Sequence, residues 1–105
     1  MSGRARVLIW HRAPDDGPGA VEDAYRAISE ELAGTPGLLG NELLGAVDDA
    51  GRLLVMSEWE SLAAFLDWER GADHRTATAP LRPFQDRERD RFFEVYEVRD
   101  AFGGE

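Results

Sequence analysis

The pattern of apolar and polar residues along the chain predicts four β-strands. Residues 4–11 are a short apolar run that ends before Pro14, which is typical of a first strand. Residues 38–47 and 52–59 are two further apolar runs, and the turn-forming letters DDAG between them predict a hairpin. Residues 91–99 alternate and predict the last strand, after a charged run, RPFQDRERDR, that is typical of a solvated loop.

Two helices are predicted between these strands. The first covers residues 20–33, where four apolar side chains recur at helical spacing: Val21, Tyr25, Ile28 and Leu32. Gly34 can give this helix a left-handed C-terminal cap. The second helix begins after Ser61, whose hydroxyl can cap its first turn. A shorter helical turn is expected around residues 74–79, before two prolines interrupt it.

The predicted order β-α-β-β-α-β indicates a ferredoxin-like α+β fold, in which an antiparallel sheet carries both helices on one face. The length fits a single domain over residues 1–105, with an ordered core over about 4–99 and a flexible tail over 100–105. The predicted strands carry apolar side chains on both faces, as in the third: Leu53 and Val55 on one, Leu54 and Met56 on the other. Because two helices cover only one face, the other is expected to pair with an identical subunit in a dimeric α+β barrel.

The composition argues against several classes of function. A net charge of −9, from 21 acidic and 12 basic residues, would repel a nucleic-acid backbone. No apolar run approaches the roughly 20 residues of a membrane span, and the apolar stretch near the N-terminus is too short for a signal peptide, so a cytoplasmic protein is expected. Cysteine and lysine are absent, which excludes thiolate nucleophiles, disulfides and Schiff bases. Neither a nucleotide motif nor a metal-ligand spacing occurs.

Four residues are candidates for a pocket that binds an aromatic substrate. Trp59 closes the third strand at its rim, where the indole N–H could polarise a ketone oxygen; the alternative is an ordinary core tryptophan. Asn41 stands among leucines, and its carboxamide could hold a carbonyl as enolate charge develops, unless it faces water on an edge strand. Trp68 and Phe84 could form aromatic walls, although each could equally be a core or interface residue.

The two histidines are the candidates for proton transfer. His74 follows the second helix and could act as a general base near neutral pH, or ligate a heme iron; in the polar stretch ADHRT it could also be a solvated side chain. His11 is a weaker candidate for contacting a substrate, because the turn after it is expected to bring it to the surface.

The stretch from 36 to 75 resembles the antibiotic biosynthesis monooxygenase family of small dimeric ferredoxin-like proteins: PGLLGNELLGAVDDAGRLLVMSEWESLAAFLDWERGADHR. Three motifs carry the resemblance. P-G-x-x-G enters the second strand, W-E-S closes the third, and A-x-F-x-x-W on the second helix is followed by H-R. More loosely, the element order agrees over residues 4–99.

The resemblance implies a cofactor-free oxygenase of secondary metabolism. Some family members deprotonate an electron-rich aromatic polyketide such as an anthrone, and the carbanion reacts directly with dioxygen to give a quinone. Trp59 matches the tryptophan that such proteins have at the end of the third strand. Asn41 is a carbonyl partner by its chemistry rather than by a motif. A homodimer that binds a small aromatic substrate and dioxygen is therefore expected.

Two alternatives remain open at the level of sequence. The fold also resembles small heme-degrading monooxygenases, with heme as the cofactor, a tryptophan like Trp59 and a histidine after the second helix. Those proteins have an asparagine on the first strand, whereas this chain has Trp10 and His11 there. The other alternative is a non-oxidative polyketide cyclase or a small-molecule-binding dimer, since a fold does not determine a function.

Overall fold

The computed structural model describes residues 3–71 and 78–103. Its elements are, in chain order: β1 (Ala5–Arg12), α1 (Ala20–Leu32), β2 (Leu38–Ala46), β3 (Asp49–Trp59), α2 (Leu62–Arg70), a 3₁₀ helix (Ala79–Phe84) and β4 (Phe93–Glu97). The four strands form one sheet in the order β2-β3-β1-β4, and every neighbouring pair is antiparallel. The predicted ferredoxin-like α+β fold is therefore confirmed.

Two groups of buried side chains attach the helices to one face of the sheet. The first group joins α1 and the 3₁₀ helix to β3: Val21, Ile28, Leu53, Val55 and Leu81. The second joins α2 to β1 and β3: Ala5, Val7, Trp59 and Phe65. Side chains on a strand alternate between the two faces, so the odd-numbered residues of β1 and β3 point to the helices. A cavity can form between the two groups of buried side chains, on the face of the sheet that carries the helices.

Local signals in the sequence begin and end the helices as predicted. The Ser61 hydroxyl accepts a hydrogen bond from the Ala64 backbone N–H at 3.1 Å and so caps α2. α1 ends at Leu32, and Gly34 follows with φ of +84°, a conformation that costs glycine little. Within the described residues, no helix has both the length and the apolar character needed to cross a membrane.

The hairpin between β2 and β3 turns earlier than predicted. Its turn consists of Val47 and Asp48, and β3 already begins at Asp49. The Asp49 carboxylate accepts from the Gly51 backbone N–H and from the Arg12 guanidinium, both at 3.0 Å. The bond to Arg12 holds the start of β3 against β1, and three of the four turn-forming letters belong to the strand.

The segment after α2 also differs from the prediction. Pro80 and Pro83 lie inside the 3₁₀ helix Ala79–Phe84, which was not predicted. A proline in the first turn loses no hydrogen bond, because the N–H groups there have no partner within the helix. Leu81 is buried in the first group of core side chains and fixes this short helix. The turn expected over 74–79 falls mostly outside the described residues.

Only the first part of the charged run before β4 pairs with the sheet. β4 is shorter than the predicted 91–99, and part of the run pairs with β1. The Asp86 backbone N–H donates to the Trp10 carbonyl at 2.9 Å, and the Arg89 guanidinium lies 3.9 Å from the centroid of the Trp10 ring. A cation over an indole face is favourable. Residues 87–91 are exposed, so the expectation of a solvated loop is confirmed for them, whereas Gln85 and Asp86 pair with β1.

Gly37 should tolerate a side chain much less well than Gly34, although both have nearly the same φ, +85° and +84°. A Cβ atom at Gly37 would lie 2.5 Å from the Ala64 Cβ, whereas nothing lies within 4 Å at Gly34. We expect Gly34→Ala to lower the free energy of unfolding by about 1–2 kcal/mol through its φ alone. Gly37→Ala should lose a further ~1–3 kcal/mol through overpacking. Urea unfolding of both variants checks this, and equal losses would contradict the close approach of α2.

Candidate active site

A cavity of about 420 Å³ lies between the sheet and the helices. Five aromatic residues form much of its lining: Trp59, Phe65, Trp68, Phe92 and Phe93. Aliphatic side chains from β1, α1 and β3 add to it. A concave, mostly apolar space with a few polar groups is the usual form of a small-molecule site. Its size lies within the range of about 300–1,000 Å³ for such sites.

Trp59 forms the base of the cavity and is only 1% exposed. Its ring lies edge-on to Phe65 at 5.5 Å and is tilted against Trp68 at 5.2 Å between centroids. Both arrangements suit the quadrupoles of aromatic rings. The three rings, inclined to one another, together make an angled apolar wall that a planar ligand can contact.

The Trp59 indole N–H already has a partner inside the protein. It donates to the Ser57 Oγ at 2.9 Å. Ser57 is the preceding residue on the same face of β3 and also lines the cavity. Since its oxygen accepts from the indole, the Ser57 hydroxyl retains its own hydrogen for donation to a ligand. Trp59 therefore orients a hydroxyl donor, which sequence reasoning did not identify.

Asn41 lies on β2 opposite Ser57, on the side of the sheet that faces the helices. Its Oδ1 accepts from the Tyr25 hydroxyl and, at 3.4 Å, from the Ser29 hydroxyl, both on α1. No described residue accepts from its Nδ2 amide. Because the oxygen is occupied, the amide N–H groups are what this side chain offers a ligand.

Asn41 and Ser57 together form a polar patch on an otherwise apolar wall. Directly opposed residues on antiparallel strands have Cβ atoms about 5 Å apart, so both side chains can reach one ligand atom. Two neutral donors converging in a dry cavity are suited to stabilising an oxygen that gains negative charge. The arrangement can bind a carbonyl oxygen and stabilise its enolate.

His11 and Phe84 do not belong to the described lining of the cavity. His11 is 1% exposed, so the expectation that the following turn brings it to the surface is wrong. Its Nδ1–H donates to the Ile9 carbonyl at 2.9 Å, and burial lowers the pKa of the ring. Phe84 is half-buried and packs against the first group of core side chains.

His74 lies outside the described residues, so its suggested role in proton transfer stays a prediction. Among residues 3–71 and 78–103, no group of three or more histidine, aspartate or glutamate side chains could hold a metal ion. Of the six candidates from the sequence, Trp59, Asn41 and Trp68 line the same cavity.

Several polar residues of the cavity were missed by sequence reasoning. One feature of the sequence could have indicated Ser57: it is a serine on an apolar strand, two residues before Trp59, and so points to the same face of the sheet. No feature of the sequence indicated the other three, Arg82, Gln85 and Arg87, because a run of alternating charges normally faces water. They reach the cavity only because the 3₁₀ helix and the segment after it pack against α1 and β1.

The antiparallel sheet, with its helices on one face and an aromatic cavity beneath them, defines a small protein of the ferredoxin-like α+β class. Within this class, the sequence profile described as "Antibiotic biosynthesis monooxygenase" matches residues 6–80. The match covers well over half of the chain, which therefore belongs to this family.

Similarity to individual proteins agrees with this membership. The chain is 32% identical over 81 residues to protein SchA of Streptomyces halstedii, covering 77% of this chain and 21% of SchA. It is 32% identical over 78 residues to a 42.8 kDa protein in the whiE locus of Streptomyces coelicolor, covering 74% and 20% respectively. The chain thus spans about a fifth of the length of the curated relatives it matches.

The fold is close to that of SnoaB from Streptomyces nogalater, whose crystal structure is described as that of a cofactor-independent oxygenase. The TM-score is 0.80, and the match covers 98% of this chain and 100% of SnoaB. Sequence identity is 14%, so this similarity establishes the fold alone.

Burial of His11 should make stability depend on pH. The pKa of the buried ring lies below its ordinary value of 6.5, so the unfolded chain binds a proton that the folded chain does not. The free energy of unfolding should therefore fall as the pH drops below about 6.5, by at most ~1.4 kcal/mol per pH unit. His11→Gln keeps an N–H donor but does not titrate, and should flatten this dependence in urea unfolding between about pH 5 and 7. The same slope in both proteins would contradict the buried neutral histidine.

Proposed function

We propose that this protein is a cofactor-independent monooxygenase that oxidises an anthrone-type aromatic ketone with dioxygen. The observation that carries the proposal is the aromatic cavity with Asn41 and Ser57 side by side on one wall. Membership of the antibiotic biosynthesis monooxygenase family supports it. So does the likeness in fold to SnoaB, which is described as a cofactor-independent oxygenase.

The proposed reaction begins with removal of a proton from the methylene carbon opposite the ketone. The electron pair moves towards the ketone oxygen, where the Asn41 amide and the Ser57 hydroxyl stabilise the enolate. The carbanion then transfers electrons to dioxygen and forms a carbon–oxygen bond, giving a hydroperoxide after protonation. Loss of water from the hydroperoxide leaves a second carbonyl, so one oxygen atom enters the quinone and the other leaves as water.

Each group of residues has a distinct task in this mechanism. The rings of Trp59, Phe65 and Trp68 hold the planar substrate and exclude water, which strengthens every polar interaction in the cavity. Trp59 acts on the substrate oxygen through Ser57 and is in this respect a positioning residue. His74 is proposed as the proton acceptor on the basis of the sequence alone.

We also propose that the protein forms a homodimer through the face of the sheet that carries no helix. Across β1 and β3, Leu8 pairs with Met56 and Trp10 pairs with Leu54, on the face opposite to Val55. These four partly exposed apolar side chains are neighbours in the middle of the sheet, and the Arg89 guanidinium lies over the Trp10 ring. Such a patch on a small protein is typical of an interface.

Oxygen uptake with anthrone, measured on chelator-treated protein and corrected for autoxidation, should depend on the polar wall. Asn41→Ala removes a donor to the developing oxyanion and should lower the rate by about tenfold to 100-fold. Trp59→Phe should lower it by about tenfold, because the Ser57 hydroxyl loses its orienting donor. Tyr96→Phe, on the helix-free face, should change nothing.

A double variant separates the roles of Trp59 and Ser57. If Trp59 acts through the hydroxyl, Trp59→Phe should have little further effect once Ser57→Ala has been made. Full activity of both Asn41→Ala and Trp59→Phe would overturn the proposed roles. Conversion of substrate without oxygen would instead indicate a cyclase, and a Soret band on titration with heme would indicate the heme-binding alternative.

The dimer is tested by sedimentation of a charged variant. Met56→Glu places a carboxylate in the apolar patch and should convert the dimer to a monomer, because an unpaired charge is unfavourable in an interface. Ala63→Glu adds the same charge on the exposed side of α2 and should leave the mass unchanged. A monomeric wild-type protein at micromolar concentration would contradict the proposal.

A further inference from the structure

The cavity contains more positive than negative charge, although the chain as a whole is strongly acidic. Arg82 and Arg87 both belong to its described lining, together with one acidic residue, Glu69. No ion pair joins Glu69 to either arginine in the described part of the chain. The net charge of the protein is −9, so this local excess of guanidinium groups does not follow from composition.

Arg82 has an N–H group that finds no acceptor among residues 3–71 and 78–103. Its Nη2 donates to the Thr78 hydroxyl at 3.2 Å, whereas its Nε is buried and no described residue accepts from it. A guanidinium is always charged and can only donate. A buried donor without a partner is unfavourable, and such atoms in native proteins call for an explanation. Because Nε has almost no accessible surface, a ligand in the cavity can be reached only by the terminal nitrogens of this guanidinium.

Arg82 and Arg87 lack a carboxylate partner among the described residues, as do Arg89, Arg91 and Arg99. Six others lie 3.0–3.9 Å from a carboxylate oxygen: Arg4, Arg6, Arg12, Arg26, Arg52 and Arg70. Neither cavity arginine has a carboxylate partner among the described residues, despite the 21 acidic side chains in the chain. No described carboxylate neutralises either guanidinium, so each can pair with an anion that enters the cavity.

Arg87 is held beside the same space by two other lining residues. Its Nη2 donates to the Gln85 Oε1 at 3.0 Å, and its guanidinium lies 5.3 Å from the centroid of the Phe92 ring. The hydrogen bond and the aromatic face limit the positions that this side chain can adopt. Its remaining N–H groups are available to a ligand.

We propose that the cavity binds an aromatic carboxylate, with its ring system against Trp59 and Trp68 and its carboxylate on Arg82. Guanidinium and carboxylate match each other in a planar, two-bond geometry, and the apolar surroundings strengthen the interaction. Arg87 contributes a second positive charge. An aromatic carboxylate would thus be the substrate class of the proposed active site. This inference rests on the proposed function in one respect, which is that this cavity is the substrate site.

Binding of two matched probes tests the inference without turnover. Anthracene-2-carboxylate and anthracene-2-carboxamide have the same rings and differ in charge, and their fluorescence anisotropy reports binding. The wild-type protein should bind the carboxylate about tenfold or more tightly than the carboxamide. Arg82→Gln should abolish this preference by weakening carboxylate binding, and leave carboxamide binding within about twofold. Arg82→Lys should retain part of the preference, since it keeps the charge but loses the planar fork.

Arg70→Gln is the matched control, because Arg70 is exposed on α2. This substitution changes the net charge by the same amount as Arg82→Gln. It should leave both affinities unchanged. Equal binding of the two probes, binding of neither, or equal weakening of both by Arg82→Gln would overturn the inference. Equal probe binding alongside oxygen uptake that depends on Trp59 would overturn only this inference and leave the proposed function standing. A carboxylate preference without oxygen uptake would support this inference and contradict the proposed function.

Discussion

The burial of Trp59 at the end of β3 connects the fold to the cavity. The indole packs against β1 in the core and against the rings of Phe65 and Trp68 on α2, so it holds that helix at a fixed distance from the sheet. Removing a buried side chain of this size costs roughly 3–5 kcal/mol in a typical core. The same ring is the base of the cavity, and its N–H orients Ser57. Stability and the shape of the site therefore depend on one residue.

The polar groups of the cavity gain their significance from the apolar surface around them. Hydrogen bonds and charges are stronger where water is excluded, and an unpaired donor there is correspondingly unfavourable. Asn41 is held by two hydroxyls of α1, and Ser57 is held by Trp59, so both present fixed donors. In the proposed reaction the substrate provides the electrons. The protein then needs to supply only orientation, a dry surface and stabilisation of the enolate, which such groups can provide.

The elements that sequence patterns predicted are those governed by local chemistry. The Ser61 cap, the glycine after α1 and the alternation along β3 each depend on a few neighbouring residues, and each is found as predicted. Asn41 was recognisable because an amide among leucines is unusual in a strand. Membership of the family was also visible in the sequence, through motifs around the second and third strands.

The features that escaped sequence analysis depend on tertiary contacts. The early start of β3 results from bonds between the Asp49 carboxylate and a strand far away in sequence. His11 is buried and its backbone is bridged to Gln85, a contact distant in sequence that no local pattern predicts. Arg82 belongs to a charged run whose pattern indicates exposure, yet the packing of Leu81 brings it to the cavity. Contacts between segments that lie far apart in sequence depend on the whole fold, so local sequence patterns do not predict them.

The central claim is that the protein's own side chains stabilise a substrate carbanion. The most direct test is exchange of the methylene hydrogens of anthrone for deuterium, followed by NMR under strictly anaerobic conditions, where oxidation cannot occur. The account predicts that the protein accelerates exchange by about tenfold or more over buffer, and that Asn41→Ala removes most of this acceleration. Exchange at the buffer rate in the presence of bound anthrone would contradict it.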